Sequence, residues 1–173
     1  MKSLQTIQKV FKTLKIIIKV AEILCIVGAS ISALTVLCFA VRNNGGHVFS
    51  IFGTSMDEFF ENNVSEMCGK LVSYTFMLTS YAIVLGFAQN YLKTELIDGT
   101  PFTEKGAVKL KMLGIRCIYI PIVAAAISEL IIVCCKINTG IETVTLPSVI
   151  IGAILIIVSL IFQYGTELEN KGK

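Results

Sequence analysis

Apolar and polar positions fall in long blocks along this chain rather than alternating singly. Four apolar blocks stand out: "ILCIVGASISALTVLCFAV" (23–41), "LVSYTFMLTSYAIVLGFA" (71–88), "CIYIPIVAAAISELIIVCC" (117–135) and "LPSVIIGAILIIVSLIF" (146–162). Each approaches the roughly 20 residues a helix needs to cross a hydrocarbon layer about 30 Å thick. Lipid offers no water to satisfy backbone groups, so such blocks are expected to be helices. A transmembrane barrel would instead show ten-residue segments of strict alternation. The pattern predicts an all-α integral membrane protein: one membrane domain, residues 1–173, folded as a bundle of four transmembrane helices. The spans are expected over approximately 20–41, 70–92, 112–135 and 145–164. The first block has a basic lead like a signal peptide, but its apolar run is too long for one, so it reads as an uncleaved span.

The polar connections carry their own patterns. Before the first block, Leu4, Ile7, Phe11, Leu14 and Ile18 recur at steps of three and four, with lysines and glutamines between them. That spacing predicts a basic amphipathic helix lying on the inner leaflet ahead of the first span. In the first outer loop, Ser55 stands three residues before Glu58, a capping-box spacing. Met56, Phe59, Phe60, Val64 and Met67 follow at helical intervals, predicting a second, short amphipathic helix. The connection between blocks two and three contains "DGTPFTEKG" (98–106). Asp98 and Gly99 favour a turn, and Pro101 disfavours helix at Thr100. Thr103 is a good N-cap, Glu104 suits the first turn of the next helix, and Phe102 can staple onto Ala107 and Val108.

Charge then orients the bundle. Lys2, Lys9, Lys12, Lys15 and Lys19 precede the first block, and Lys93, Lys105, Lys109, Lys111 and Arg116 lie around the middle connection. Lys171 and Lys173 close the chain, whereas the other two connections hold only Arg42, Lys70 and Lys136. The positive-inside rule therefore expects both termini in the cytoplasm of a cell membrane. Composition agrees with this class: 54% of the 173 residues are hydrophobic and only 16% are charged. Such a chain is neither disordered nor an ordinary soluble domain. With no Trp, the tyrosines, phenylalanines and lysines are left to anchor the interfaces.

Little in the blocks points to chemistry. His47 is the single histidine and none of the six cysteines forms a C-x-x-C pair, so no metal site is expected. The cysteines read as small buried hydrophobes, although Cys68 and the Cys134–Cys135 pair fall toward one membrane face, where a disulfide is conceivable. Glu22 stands three residues after Lys19 and fits an interfacial ion pair. Glu129 lies about 25 Å along the third span from Met112, toward the outer leaflet, and is the candidate intramembrane functional group. Ser73, Tyr74, Thr75, Thr79, Ser80 and Tyr81 give span two a polar run suited to interhelical hydrogen bonds. Gly28, Ser32, Ala124–Ala126, Ser148 and Gly152 allow close helix approach, which also admits assembly with a second copy. Pro121 is expected to kink span three. No nucleophile–base set, phosphate loop, paired carboxylates or basic nucleic-acid module occurs, so neither an enzyme, a cofactor nor direct nucleic-acid binding is expected.

The segment "NYLKTELIDG" followed by "GTPFTEKGAVKLKMLG", and the closing "IIVSLIFQYGTELENKGK", resemble the bacterial membrane family catalogued as domain of unknown function 2975. The four-span layout extends that resemblance over most of the chain. It implies no enzymatic activity. It implies instead a partnership with a small cytoplasmic helix-turn-helix transcription regulator, beside the lipid bilayer itself. The expected contact residues are Asp98, Pro101, Phe102, Thr103 and Glu104, with Lys105 and the basic N-terminal stretch behind them. The alternative expectation is a small transporter, permeation or immunity-type membrane protein that uses Glu129 and the polar side of span two.

Overall fold

The computed structural model describes residues 2–43, 64–98, 104–134 and 146–171, with side-chain surroundings over 9–38, 69–96, 105–134 and 146–168. They form four helices: α1 Lys2–Asn43, α2 Val64–Asp98, α3 Glu104–Cys134 and α4 Leu146–Lys171. Each contains a segment long and apolar enough to cross a membrane: Lys9–Cys38, Gly69–Leu96, Lys105–Cys134 and Leu146–Leu168. The outward faces are themselves apolar. Leu24, Leu130, Val133 and Leu146 are all at least 66% exposed, on a chain whose buried positions include seven polar or charged residues, six of them serines. That inverts the pattern of a water-soluble bundle, whose outward faces are polar.

The helices pack in chain order, α1 on α2, α2 on α3 and α3 on α4. The α1–α2 seam runs antiparallel, because Glu22 meets Gln89 whereas Ser32, further along α1, meets Thr75, earlier on α2. Thr75 donates to Ser32 Oγ at 2.8 Å, and Ser32 donates onward to the Gly28 carbonyl at 3.0 Å. Gly28 lets the helices close up: a Cβ there would stand 3.1 Å from Leu78 Cδ1. Between α2 and α3, the Arg116 guanidinium lies 4.0 Å from the Phe87 ring centroid. At that range a cation gains about 0.5–2 kcal/mol from the ring face.

The α3–α4 seam is the tightest. A Cβ on Gly114 would fall 2.8 Å from the Gly152 carbonyl oxygen, and one on Gly152 would fall 2.7 Å from the Gly114 carbonyl oxygen. The two backbones touch through paired glycines, the small-residue device that lets helices associate where no hydrophobic drive exists between them. Buried serines return their hydroxyls to their own helix. Ser128 donates to the Ala125 carbonyl and Ser159 to the Ile156 carbonyl, both at 2.8 Å.

Two expectations are corrected here. The N-terminal amphipathic stretch is not a separate helix; Lys2–Asn43 is one unbroken element. No Gly or Pro occurs before Gly28, so nothing stops the helix from propagating through the expected bend. Glu22 turns across to α2, where it accepts a hydrogen bond from Gln89, rather than pairing with Lys19. Gly86 makes room for it, since a Cβ there would stand 3.2 Å from Glu22 Oε1. The predicted short helix of the first outer loop falls mostly outside the described residues; its last members, Val64 and Met67, belong to α2. Pro121 sits inside a continuous α3 and is fully buried.

Candidate functional site

Two features of the bundle bear on function. One is a lateral groove. Because α1 and α4 sit at opposite ends of the packing order, a cavity of about 740 Å³ opens between them, floored by α2 and α3. Phe11, Leu14, Ile18 and Cys25 of α1 form one wall, and Ile151, Leu155, Val158 and Phe162 of α4 the other. The floor includes Ala88 and Leu92 of α2 and Leu113 and Pro121 of α3. From Ser148 to Phe162 the groove runs 14 residues along α4, about 21 Å at the α-helical rise. At its Ser148 end the Ser148 hydroxyl donates to Tyr81 Oη at 3.4 Å, which ties α4 to α2. The stripe Phe11, Leu14 and Ile18 thus lines a lateral groove between α1 and α4, where the sequence pattern alone pointed to the inner-leaflet surface.

The other feature is the lysine-rich end, where α1 starts, α2 gives way to α3 and α4 finishes. Lys9, Lys12, Lys19, Lys93, Lys105, Lys109 and Lys111 are exposed there, and Lys15 is half-buried beside Leu14. Glu95 is buried at this end, only 2% exposed, one turn beyond Tyr91, and Glu167 on α4 is exposed. α2 ends at Asp98 and α3 begins at Glu104, immediately after the residue predicted to cap it. Pro101, Phe102 and Thr103 lie outside the described residues, and the side chains of Asp98 and Glu104 are likewise not described.

Glu129 does not join the groove. It is half-buried on α3, eight residues past Pro121, beside the fully buried Ser128. The polar run of span two does not converge either. Thr75 bonds Ser32 on α1, Thr79 and Ser80 donate to the Thr75 and Met77 carbonyls of their own helix, and Tyr74 is 61% exposed. Ser73 is buried with no hydrogen-bond partner among the described residues, for which the fold offers no reason. Cys25, Cys38, Cys117 and Cys134 are free thiols, while the Cys68 and Cys135 side chains lie outside the described residues. Among the described residues no three His, Cys, Asp or Glu side chains group to hold a metal ion.

Comparison with known proteins finds no matching family model, no matching curated protein and no matching solved structure. The groove itself was beyond sequence reasoning, because its walls come from residues as far apart as Phe11 and Phe162. The Gly114–Gly152 contact left a partial trace in two glycines inside otherwise apolar helices.

Proposed function

We propose that this chain is a non-enzymatic, multi-pass interaction protein of a bacterial cell membrane, and that its lysine-rich end faces the cytoplasm and docks a small helix-turn-helix regulator. The observation that carries the docking reading is the α2–α3 hairpin. Two long helices are joined by residues 99–103 alone, which sets the end of α2 beside the start of α3, with Lys93, Lys105 and Lys109 exposed on the flanking turns. The lysine distribution supports the cytoplasmic orientation, and the resemblance of the hairpin sequence supports the class of partner. A membrane anchor of this kind restrains a regulator by holding it away from DNA.

The test is affinity capture of the full-length protein from native membranes. A small DNA-binding partner should co-purify. A paired Phe102→Ala and Glu104→Gln variant should release it while remaining in the membrane fraction. Capture that yields no DNA-binding protein, or a partner indifferent to the paired variant, refutes the reading.

A transport or immunity role through Glu129 has less support. A hydrophilic path needs several convergent polar groups. Glu129 has no side-chain hydrogen bond or ion pair among the described residues, and the groove's polar groups are a few hydroxyls and thiols, of which Ser148 and Tyr81 bond each other.

A further inference from the structure

The groove between α1 and α4 has the wall chemistry, size and charge placement of a lipid site. This inference rests on the reading of the chain as a membrane protein, in which a groove on the bundle's flank opens toward acyl chains. Its walls are aliphatic and aromatic over about 21 Å, long enough to follow a lipid tail through much of one leaflet. Size separates the two kinds of occupant. A helix 10–12 Å across and 21 Å long fills roughly 1,600–2,400 Å³, at least twice the 740 Å³ present. A methylene chain about 4.5 Å thick, as carbon contact distances set it, fills roughly 300–400 Å³ over the same length. Two such chains fill the cavity, whereas a helix from a partner or a second copy would enter it by one face only.

Charge sets the polarity of the occupant. The groove's Phe11–Phe162 end lies at the lysine-rich end of the bundle. Lys15 follows Leu14 directly and stands one turn before Ile18, and it is half-buried where Lys12 and Lys19 are exposed. Lys109 adjoins Leu110 on the α3 side. Against these stand Glu22, which accepts from Gln89 of α2, the buried Glu95 and the exposed Glu167; the lysines outnumber them, so positive charge is in excess at the mouth. We propose that the groove holds the two acyl chains of one anionic diacyl phospholipid, with its headgroup over Lys12, Lys15 and Lys19. Each lysine near an anionic surface favours binding enough that three together give an anionic lipid at least a tenfold advantage over a zwitterionic one.

The test uses full-length protein in a neutral detergent, stripped of lipid and titrated with phosphatidylglycerol or phosphatidylcholine of the same tails, with bound lipid counted by native mass spectrometry. One phosphatidylglycerol per chain is expected, bound at least tenfold more tightly than phosphatidylcholine. Ala88→Phe, which fills the groove floor, should weaken both lipids at least tenfold. The surface triple variant K12Q/K15Q/K19Q should bring the two lipids within about threefold of each other and leave phosphatidylcholine binding intact. Equal retention of both lipids by the unaltered protein, or undiminished retention by Ala88→Phe with helicity preserved, overturns the proposal. A dimer that Ala88→Phe dissociates would assign the groove to a second copy and also overturn it. Alkaline extraction of cell membranes separates this failure from that of the underlying reading: a chain that stays in the membrane pellet but shows no lipid preference sinks the groove proposal alone.

Discussion

Replacing Gly152 by Ala tests the α3–α4 seam, because position 165 of the same helix supplies an internal control. At Gly152 the new methyl would stand 2.7 Å from the Gly114 carbonyl oxygen and closer still to Ile118 Cγ1. Ile118 can change rotamer, but the Gly114 carbonyl is backbone and can yield only if α3 and α4 move apart. Overpacking of this kind costs about 1–3 kcal/mol, and alanine's better helix propensity returns up to about 1 kcal/mol. With the full propensity gain, the net is a loss of up to about 2 kcal/mol. At Gly165 nothing lies within 4 Å of an added Cβ, so Gly165→Ala should be neutral or stabilising by up to about 1 kcal/mol. The same chemical change on one helix is therefore expected to have opposite signs. Equilibrium unfolding in mixed micelles, titrated with sodium dodecyl sulfate and followed by circular dichroism, reads both variants against the unaltered protein. Gly114→Ala should behave like Gly152→Ala, since its methyl would meet the Gly152 oxygen and Ile156 Cγ1, each at 2.8 Å. The double variant should cost less than the sum, because once the helices have separated the second methyl finds space already open. A Gly152→Ala protein as stable as Gly165→Ala would refute the glycine contact.

Other seams make separate predictions. Gln89→Leu leaves the Glu22 carboxylate without its hydrogen-bond donor and should cost about 1–3 kcal/mol by the same titration; adding Glu22→Leu should recover much of that, since replacing both partners is cheaper than orphaning one. Thr75→Val removes the bond to Ser32 and should cost only about 0.6 kcal/mol, the usual worth of such a bond in a membrane; a loss several times larger would make Thr75 part of a wider network. Phe87→Leu withdraws the ring from Arg116 and should destabilise by about 0.5–2 kcal/mol, and the loss should shrink when Arg116 is already Gln. If the orientation proposed from the lysines holds, a reporter active only in the cytoplasm should work when fused to either end of the chain and fail within residues 44–63.

The legible parts of this protein are those set by neighbours in the chain. Helix α3 is described from Glu104, close to the start expected from Pro101 and Thr103, because helix-start signals act over a few residues. The unbroken course of α1 is equally local, since the chain's first 27 residues contain no helix breaker, although its basic stripe also fits a separate surface helix. Glu22 shows the converse. Lys19 lies one turn away in sequence, but the group it meets is Gln89, 67 residues on, which no spacing rule reaches.

The sequence by itself determined four apolar segments of membrane-spanning length and the asymmetric placement of lysines, because each is a count over contiguous residues measured against a fixed membrane thickness and a fixed helical rise. The tertiary structure alone decided which face of each helix turns inward. In a soluble protein apolarity marks the core, but between lipid and protein it marks nothing, since both are equally apolar. Packing is left to small residues and isolated polar pairs, and these can be matched only across the folded bundle. That is why Gly114 meets Gly152, Glu22 meets Gln89, and the stripe of Phe11, Leu14 and Ile18 lines a groove rather than a membrane surface.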